Sequence, residues 1–278
     1  MKLLQINTSL NTSSTGKIVS QISKMVQEDG GESYIAYSGK YPVNTNEVNS
    51  FRVGSKLDFY WHALITRFFD LHGFGSTQAT KKLIKAIDNM KPDIIHLHNL
   101  HGYYLNVEIL FNYIAENQVP VVWTLHDCWS FTGHCSHFEF VKCNKWKKSC
   151  HSCPQLSSYP ASILRDNSLK NFIKKKTIFN SVSNMTIVPV SKWLDIKLRD
   201  SFLSKYDSRV INNGIDLEVF KPTSNKTILK KLNIENKFVL LGVASVWTEK
   251  KGLFEFIKLS RMLNEDYAIV LVGGPPTT

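Results

Sequence analysis

Short apolar runs that alternate with amphipathic stretches of ten to fifteen residues constrain this chain more than any other feature. Residues 2–7, 33–37, 93–98, 120–125 and 186–190 read as strands. Residues 16–28, 55–71, 76–90, 105–117, 167–180 and 191–202 read as helices, with Ser76 and Ser191 placed as N-caps and Lys91-Pro92 as a stop. Parallel neighbours need a crossover, and the crossover helix must lie on a face of the sheet. The expected fold class is therefore α/β, with a parallel sheet wrapped on both sides.

The pattern restarts after Ser204, with strands at 209–212, 237–244 and 267–272, a turn at Asn213-Gly214 and a helix at 252–263. That places a boundary near Lys205 and divides the chain into 1–205 and 206–278. A length of 278 residues leaves room for two domains, at roughly 100–200 residues each. The second stretch is short of that range, so its domain is expected to be incomplete. It ends Gly273-Gly274-Pro275-Pro276-Thr277-Thr278, directly after a strand that a full sheet would bury.

The longest apolar stretch, 238–247, is about half of the ~20 residues a membrane-spanning helix requires. The opening MKLLQINTSL turns polar by Gln5, too early for a secretory signal. A cytosolic chain is expected. Its net charge of +11 is concentrated between Lys142 and Arg199, where twelve Lys or Arg face only Asp166 and Asp195. Such a segment suits an anionic surface such as a phospholipid leaflet or a lipid-linked diphosphate, or else is a solvated lysine-rich face. Aromatics are not interleaved with these lysines, which argues against a base-stacking nucleic-acid surface.

In an open parallel sheet, ligands gather where strands end. The loop Asn7–Lys17 is small and polar and opens a helix; Gly16 there is either a point of close phosphate approach or part of an ordinary capped loop. Residues 93–102 carry His96, His98, Asn99 and His101, and alternation puts His96 and His98 on one face of the strand. Structural or substrate-positioning roles suit these histidines better than metal ligation, because no further ligand stands nearby. After the strand at 120–125 come His126 and Asp127, a titratable pair that a substrate could meet.

The loop 126–160 carries all five cysteines. Cys135, Cys143, Cys150 and Cys153 follow the spacing C-x7-C-x6-C-x2-C, while Cys128 stands apart. In a reducing compartment the four suit a structural zinc that pins the loop; a redox or disulfide arrangement and unligated thiols are the alternatives.

Six motifs in order, PDIIHLHNLHG (92–102), VVWTLHDCWSFTGHC (121–135), CHSCPQL (150–156), VPVSKWL (188–194), NNGIDLEVFKP (212–222) and GVASVWTEKKGL (242–253), resemble family-4 glycosyltransferases, and more narrowly those of bacterial capsule and exopolysaccharide pathways. The resemblance implies two Rossmann-like domains in the GT-B arrangement, the second incomplete here. It implies a nucleoside-diphosphate sugar donor, a lipid-linked or oligosaccharide acceptor, retention of configuration, no catalytic metal and no nucleic-acid partner. The enzyme would work in the cytoplasm, peripheral on the inner face of the cell membrane. By the same resemblance, Gly16 lies near the donor diphosphate and His126 lines the reaction centre. Lys251 matches the family lysine on the leaving diphosphate; the companion arginine position falls on Ser245, beside which Lys250 is a further cation. The family's E-x7-E region does not occur in this sequence. That departure implies weak donor binding, and it keeps open a catalytically impaired paralogue that binds acceptor or membrane.

Overall fold

The computed structural model describes residues 1–40, 49–224 and 226–274. The closing Pro275-Pro276-Thr277-Thr278 lies outside the described residues. The chain forms two compact units, Met1–Gly214 and Ile215–Thr278.

The first unit is built from β1 (Lys2–Asn7), α1 (Ser13–Glu28), β2 (Glu32–Ser38), β3 (Asn49–Val53), α2 (Lys56–Phe69), α3 (Thr77–Met90), β4 (Ile94–Leu97), α4 (Val107–Asn117), β5 (Val121–Leu125), α5 (Ser168–Phe179), β6 (Met185–Pro189) and α6 (Lys192–Arg199). Its strands are parallel, in the order β3-β2-β1-β4-β5-β6. Leu4, Ile6, Ile95, Leu97 and Trp123 are buried, as expected of central strands covered on both faces. The order reverses between β1 and β4, which makes the crevice beyond their carboxyl ends the place for a ligand.

Local chemistry sets the helix ends. Ser55 closes a capping box with Asp58 ahead of α2, and Ser191 accepts the Leu194 N–H ahead of α6. Ser76 stands at the N-cap of α3 as the sequence suggests, but its side chain makes no cap bond, its hydroxyl being paired with His62 Nδ1 at 2.8 Å. Lys91 ends α3 in the left-handed region, as Lys91-Pro92 predicts.

Two further differences concern edges. The polar strand β3 has no clear apolar run and went unread. Residues 209–212, read as the first strand of the second domain, instead extend along β6: Arg209 N–H donates to the Ile187 carbonyl and Ile211 N–H to Pro189. The first unit therefore runs past Lys205 to Gly214.

The second unit comprises α7 (Thr227–Lys231), β7 (Phe238–Val246), α8 (Leu253–Ser260) and β8 (Tyr267–Gly274), with β7 and β8 paired in parallel. Among the described residues no helix is long and apolar enough to cross a membrane.

The basic segment is less open than its composition suggests. Lys147 pairs with Asp200, Lys174 with Glu108, Lys197 with Glu139 and Arg199 with Asp195. Lys175 is buried. Three of those four acids lie outside the window 142–199, so a charge count over the window overstates the free positive charge.

Candidate functional site

A cavity of about 640 Å³ opens at the β1–β4 reversal. Its walls come from the loop after β1, residues 8–15, from the end of β2, and from Asn99, His101, Gly102 and Tyr103 after β4. Phe59 of α2 and Tyr159 of the cysteine loop complete it. The Thr8 hydroxyl donates to the Asn99 and His101 carbonyls, tying the two loops together. Gly102, at φ +118°, is what lets them meet: a Cβ there would stand 2.6 Å from Thr8 Cγ2.

Gly16 has a similar steric role. It is buried in the first turn of α1, where a Cβ would come within 2.9 Å of Ser9 Oγ. Ser13, Ser14 and Thr15 line the cavity, while Gly16 packs beneath them.

The histidines fall into two groups. His101 lines the cavity and donates from Nε2 to Asp127 Oδ2 at 2.7 Å. Its Nδ1 is 3.2 Å from the Tyr159 hydroxyl. An ionised carboxylate only accepts, so Nε2 carries the proton of that bond. Burial works against the charge on Asp127, but His101 and the Trp129 N–H outweigh it and hold the carboxyl below its usual range. That N–H reaches Oδ1 at 2.9 Å. The arrangement Tyr159–His101–Asp127 can pass polarity from the cavity wall to a fixed negative charge.

His126, His98 and His96 form the second group. His126 and His98 border an adjoining pocket of about 10 Å³ that also touches His101 and Asp127. His98 Nδ1 lies 3.3 Å from His126 Nε2, while His98 Nε2 finds no hydrogen-bond partner among the described residues. The His96 and His98 rings are 4.1 Å apart, on one face as alternation requires. His96 is bound to Thr124 Oγ1 at 2.8 Å and lines neither pocket, which gives it a structural part. Burial depresses His96 and His126 to about 4, and Asp127 only partly restores His126. Burial pushes His98 well down as well. These rings are neutral at pH 7.

Tyr159, Thr8 and His72 escaped the sequence reading. His72 is buried and accepts the Gly102 N–H at 3.3 Å, its ring set between those of Trp129, Tyr103 and Tyr159. Thr8 and Tyr159 lie within the loops 7–17 and 126–160, but nothing local marks them out, and the partners of all three are distant in sequence.

The sequence model described as Glycosyltransferase Family 4 matches residues 16–219. The chain belongs to glycosyltransferase family 4. WcaC of Escherichia coli (strain K12), whose name places it in colanic acid biosynthesis as a glycosyl transferase, is 27% identical over 230 residues, 78% of this chain and 55% of WcaC. The chain thus spans about half the length of that relative. Among solved structures, the catalytic domain of starch synthase IV from Arabidopsis thaliana, bound to ADP and acarbose, superposes with a TM-score of 0.60 at 16% identity, covering all of this chain and 69% of that one. HepE of Anabaena, in complex with UDP and glucose, gives 0.57 at 14% identity over 99% of this chain and 61% of that one. These likenesses establish the GT-B fold.

In this family-4 chain, Ser245 lies near the end of β7, and Lys250 and Lys251 sit in the turn that follows, ahead of Gly252 and α8. All three are thus at the carboxyl end of a parallel strand, where a phosphate would be met. The four clustered cysteines, Cys135, Cys143, Cys150 and Cys153, line one pocket of about 20 Å³. All five cysteines are free. Among the described residues, no three His, Cys, Asp or Glu side chains are gathered as they stand to hold a metal ion.

Proposed function

We propose that this chain serves the transfer of a sugar from a nucleoside-diphosphate sugar to a lipid-linked or growing polysaccharide acceptor, with retention of configuration, in capsule or exopolysaccharide synthesis. The observation that carries the reading is the 640 Å³ cavity at the β1–β4 reversal, walled by hydroxyls and edged by the Tyr159–His101–Asp127 chain. That cavity is the acceptor's place. The part WcaC plays by its name, and the UDP with glucose in HepE, support the substrate class.

Within this reading His101, held by Asp127, orients an acceptor hydroxyl, and neutral His126 meets the sugar from the adjoining pocket. By the family resemblance, Lys251, with Lys250 beside it, is the second unit's own contact with the departing diphosphate. A cation there stabilises the charge that develops as the glycosidic bond breaks, so the step requires no catalytic metal. Asp127→Asn should lower turnover by about a hundredfold, the scale of a lost proton-handling partner, with little change in acceptor KM. Steady-state transfer assays check this; a variant as active as the parent would remove Asp127 and His101 from the chemistry.

The enzyme would sit on the inner face of the cell membrane. Helix α2 supports that placement better than the segment 142–199 does. Leu57, Tyr60, Trp61, Leu64 and Phe68 are exposed along one face, at helical spacing. Arg165 stacks over Phe69 at its end, and Phe59 of the same helix lines the cavity. Flotation with vesicles should require anionic lipid and weaken in Trp61→Ser; equal binding to neutral vesicles would refute the placement.

A second reading is acceptor or membrane binding without turnover. Acceptor analogue bound at the cavity with neither transfer nor donor hydrolysis would select it.

A further inference from the structure

We infer that Cys135, Cys143, Cys150 and Cys153 together bind one structural zinc ion, with the buried ammonium of Lys175 as its counter-charge.

The four sulfurs come from three stretches of the loop and face one small pocket. Cys150 and Cys153 sit three residues apart, close enough to hold two corners of a tetrahedron. A backbone donor already points at sulfur: the Gly133 N–H reaches Cys150 Sγ at 3.2 Å. Cys135 and Cys143 line the same pocket as Cys150 and Cys153, which brings all four thiols to its wall. Cys128 is buried elsewhere and takes no part.

Charge supplies an independent argument. Lys175 is 1% exposed. Its Nζ donates to the Trp129 and Thr132 carbonyls at 2.8 and 3.1 Å and stands 3.3 Å over the Trp129 ring. Neutral carbonyls and a ring do not cancel a buried positive charge, and no ion pair among the described residues includes Lys175. The buried acid Asp70 is engaged by His134 at 2.6 Å. A burial of this kind is costly without an anion. One divalent ion with four thiolates carries a net charge of −2, the sign that would hold Lys175 charged against the burial that lowers its pKa.

Four soft thiolates select zinc among the common divalent ions. The thiols are not yet gathered on a common point, so binding turns them toward the pocket and releases their protons to solvent. The same residues lead to the site. Lys175 holds the Trp129 carbonyl, and the Trp129 N–H holds Asp127. Zinc would therefore brace the turn that carries Asp127; its bearing on transfer rests on the function proposed above, while the metal site does not.

The full chain, expressed with zinc and purified under reductant, should carry one zinc per chain by elemental analysis. Exchange for cobalt should give tetrahedral ligand-field bands and strong sulfur-to-cobalt charge-transfer absorption. Cys135→Ser and Cys153→Ser should lose the ion, Cys128→Ser should keep it, and Lys175→Met should yield it to a chelator at least tenfold more readily. Five thiols reacting freely in metal-free native protein would overturn the inference. So would disulfides found in protein prepared without metal, or stoichiometric zinc retained in a Cys150→Ser/Cys153→Ser double variant. Should the variants fail to fold, the cobalt spectrum of the parent protein still decides, since its charge-transfer intensity counts the thiolates.

Discussion

The two units obey the same strand-helix-strand rule and bury their strands very differently. In the first, Leu4, Ile6, Ile95 and Leu97 of the central strands are inaccessible. In the second, Phe238, Leu241 and Val243 of β7 are 65%, 62% and 71% exposed, and Val272 of β8 is half exposed. Among the described residues of that unit only Gly242 and Trp247 are buried, the Trp247 ring lying against Phe256 and the bare Cα of Gly242. An apolar run settles that a strand forms; burial needs neighbours on both edges and both faces. Six strands provide them and two do not. Titratable chemistry divides in the same way, since all nine histidines and all five cysteines precede residue 154.

Acid should separate the units most strongly. Burial lowers His62, His96 and His126 to about 4, against roughly 6.5 in an unfolded chain. Below pH 6.5 the unfolded state takes up protons that the folded state refuses. Stability is therefore fully present above about pH 6.5 and falls as pH drops toward 4. Each histidine contributes at most about 3 kcal/mol to that loss, and three together rival the ~5–15 kcal/mol of a whole domain. Hydrogen exchange, corrected for intrinsic rates, should show β1, β4 and β5 losing protection by pH 5, with β7 and β8 little changed. Equal losses in both units would break the contrast.

Truncation of a core residue comes next. Trp123 is 1% exposed, and its Nε1 donates to the His98 carbonyl at 3.1 Å. Trp123→Ala should cost about 3–5 kcal/mol. Val243→Ala, in the middle of β7, should stay within about 0.5 kcal/mol because that side chain is already in water. Urea unfolding midpoints followed by circular dichroism measure both. A Val243→Ala cost near that of Trp123→Ala would mean that β7 is covered in solution.

How much of this was legible follows from range. The apolar runs of β1, β4 and β5 and the shared face of His96 and His98 are local properties, and the sequence displays them. The polar edge strand β3 has no such run, and residues 209–211 read as a new start although they pair with β6. Gly16 suggested phosphate approach, yet its neighbours give a steric reason for the missing Cβ. The links from Tyr159 to His101, and from Lys174 to Glu108, join residues more than fifty positions apart. No window on the sequence brings them together. The motif His126-Asp127 was readable as chemistry, but its tie to His101 needed the fold.

Helix caps give the smallest effect and the finest comparison. Both units start helices after strands, but only the first supplies side-chain caps there. Ser191 accepts the Leu194 N–H at 3.2 Å before α6, whereas α8 starts at Gly252 in the left-handed region with no side-chain cap bond. Ser191→Ala should therefore cost about 1 kcal/mol, read as a lower urea midpoint and faster exchange in the first turn of α6. Thr248→Ala, before the turn that leads into α8, should change the midpoint by no more than a few tenths of that, because no side-chain cap bond is formed there. Equal costs would show that α8 gains in solution a cap that its sequence neighbours do not provide.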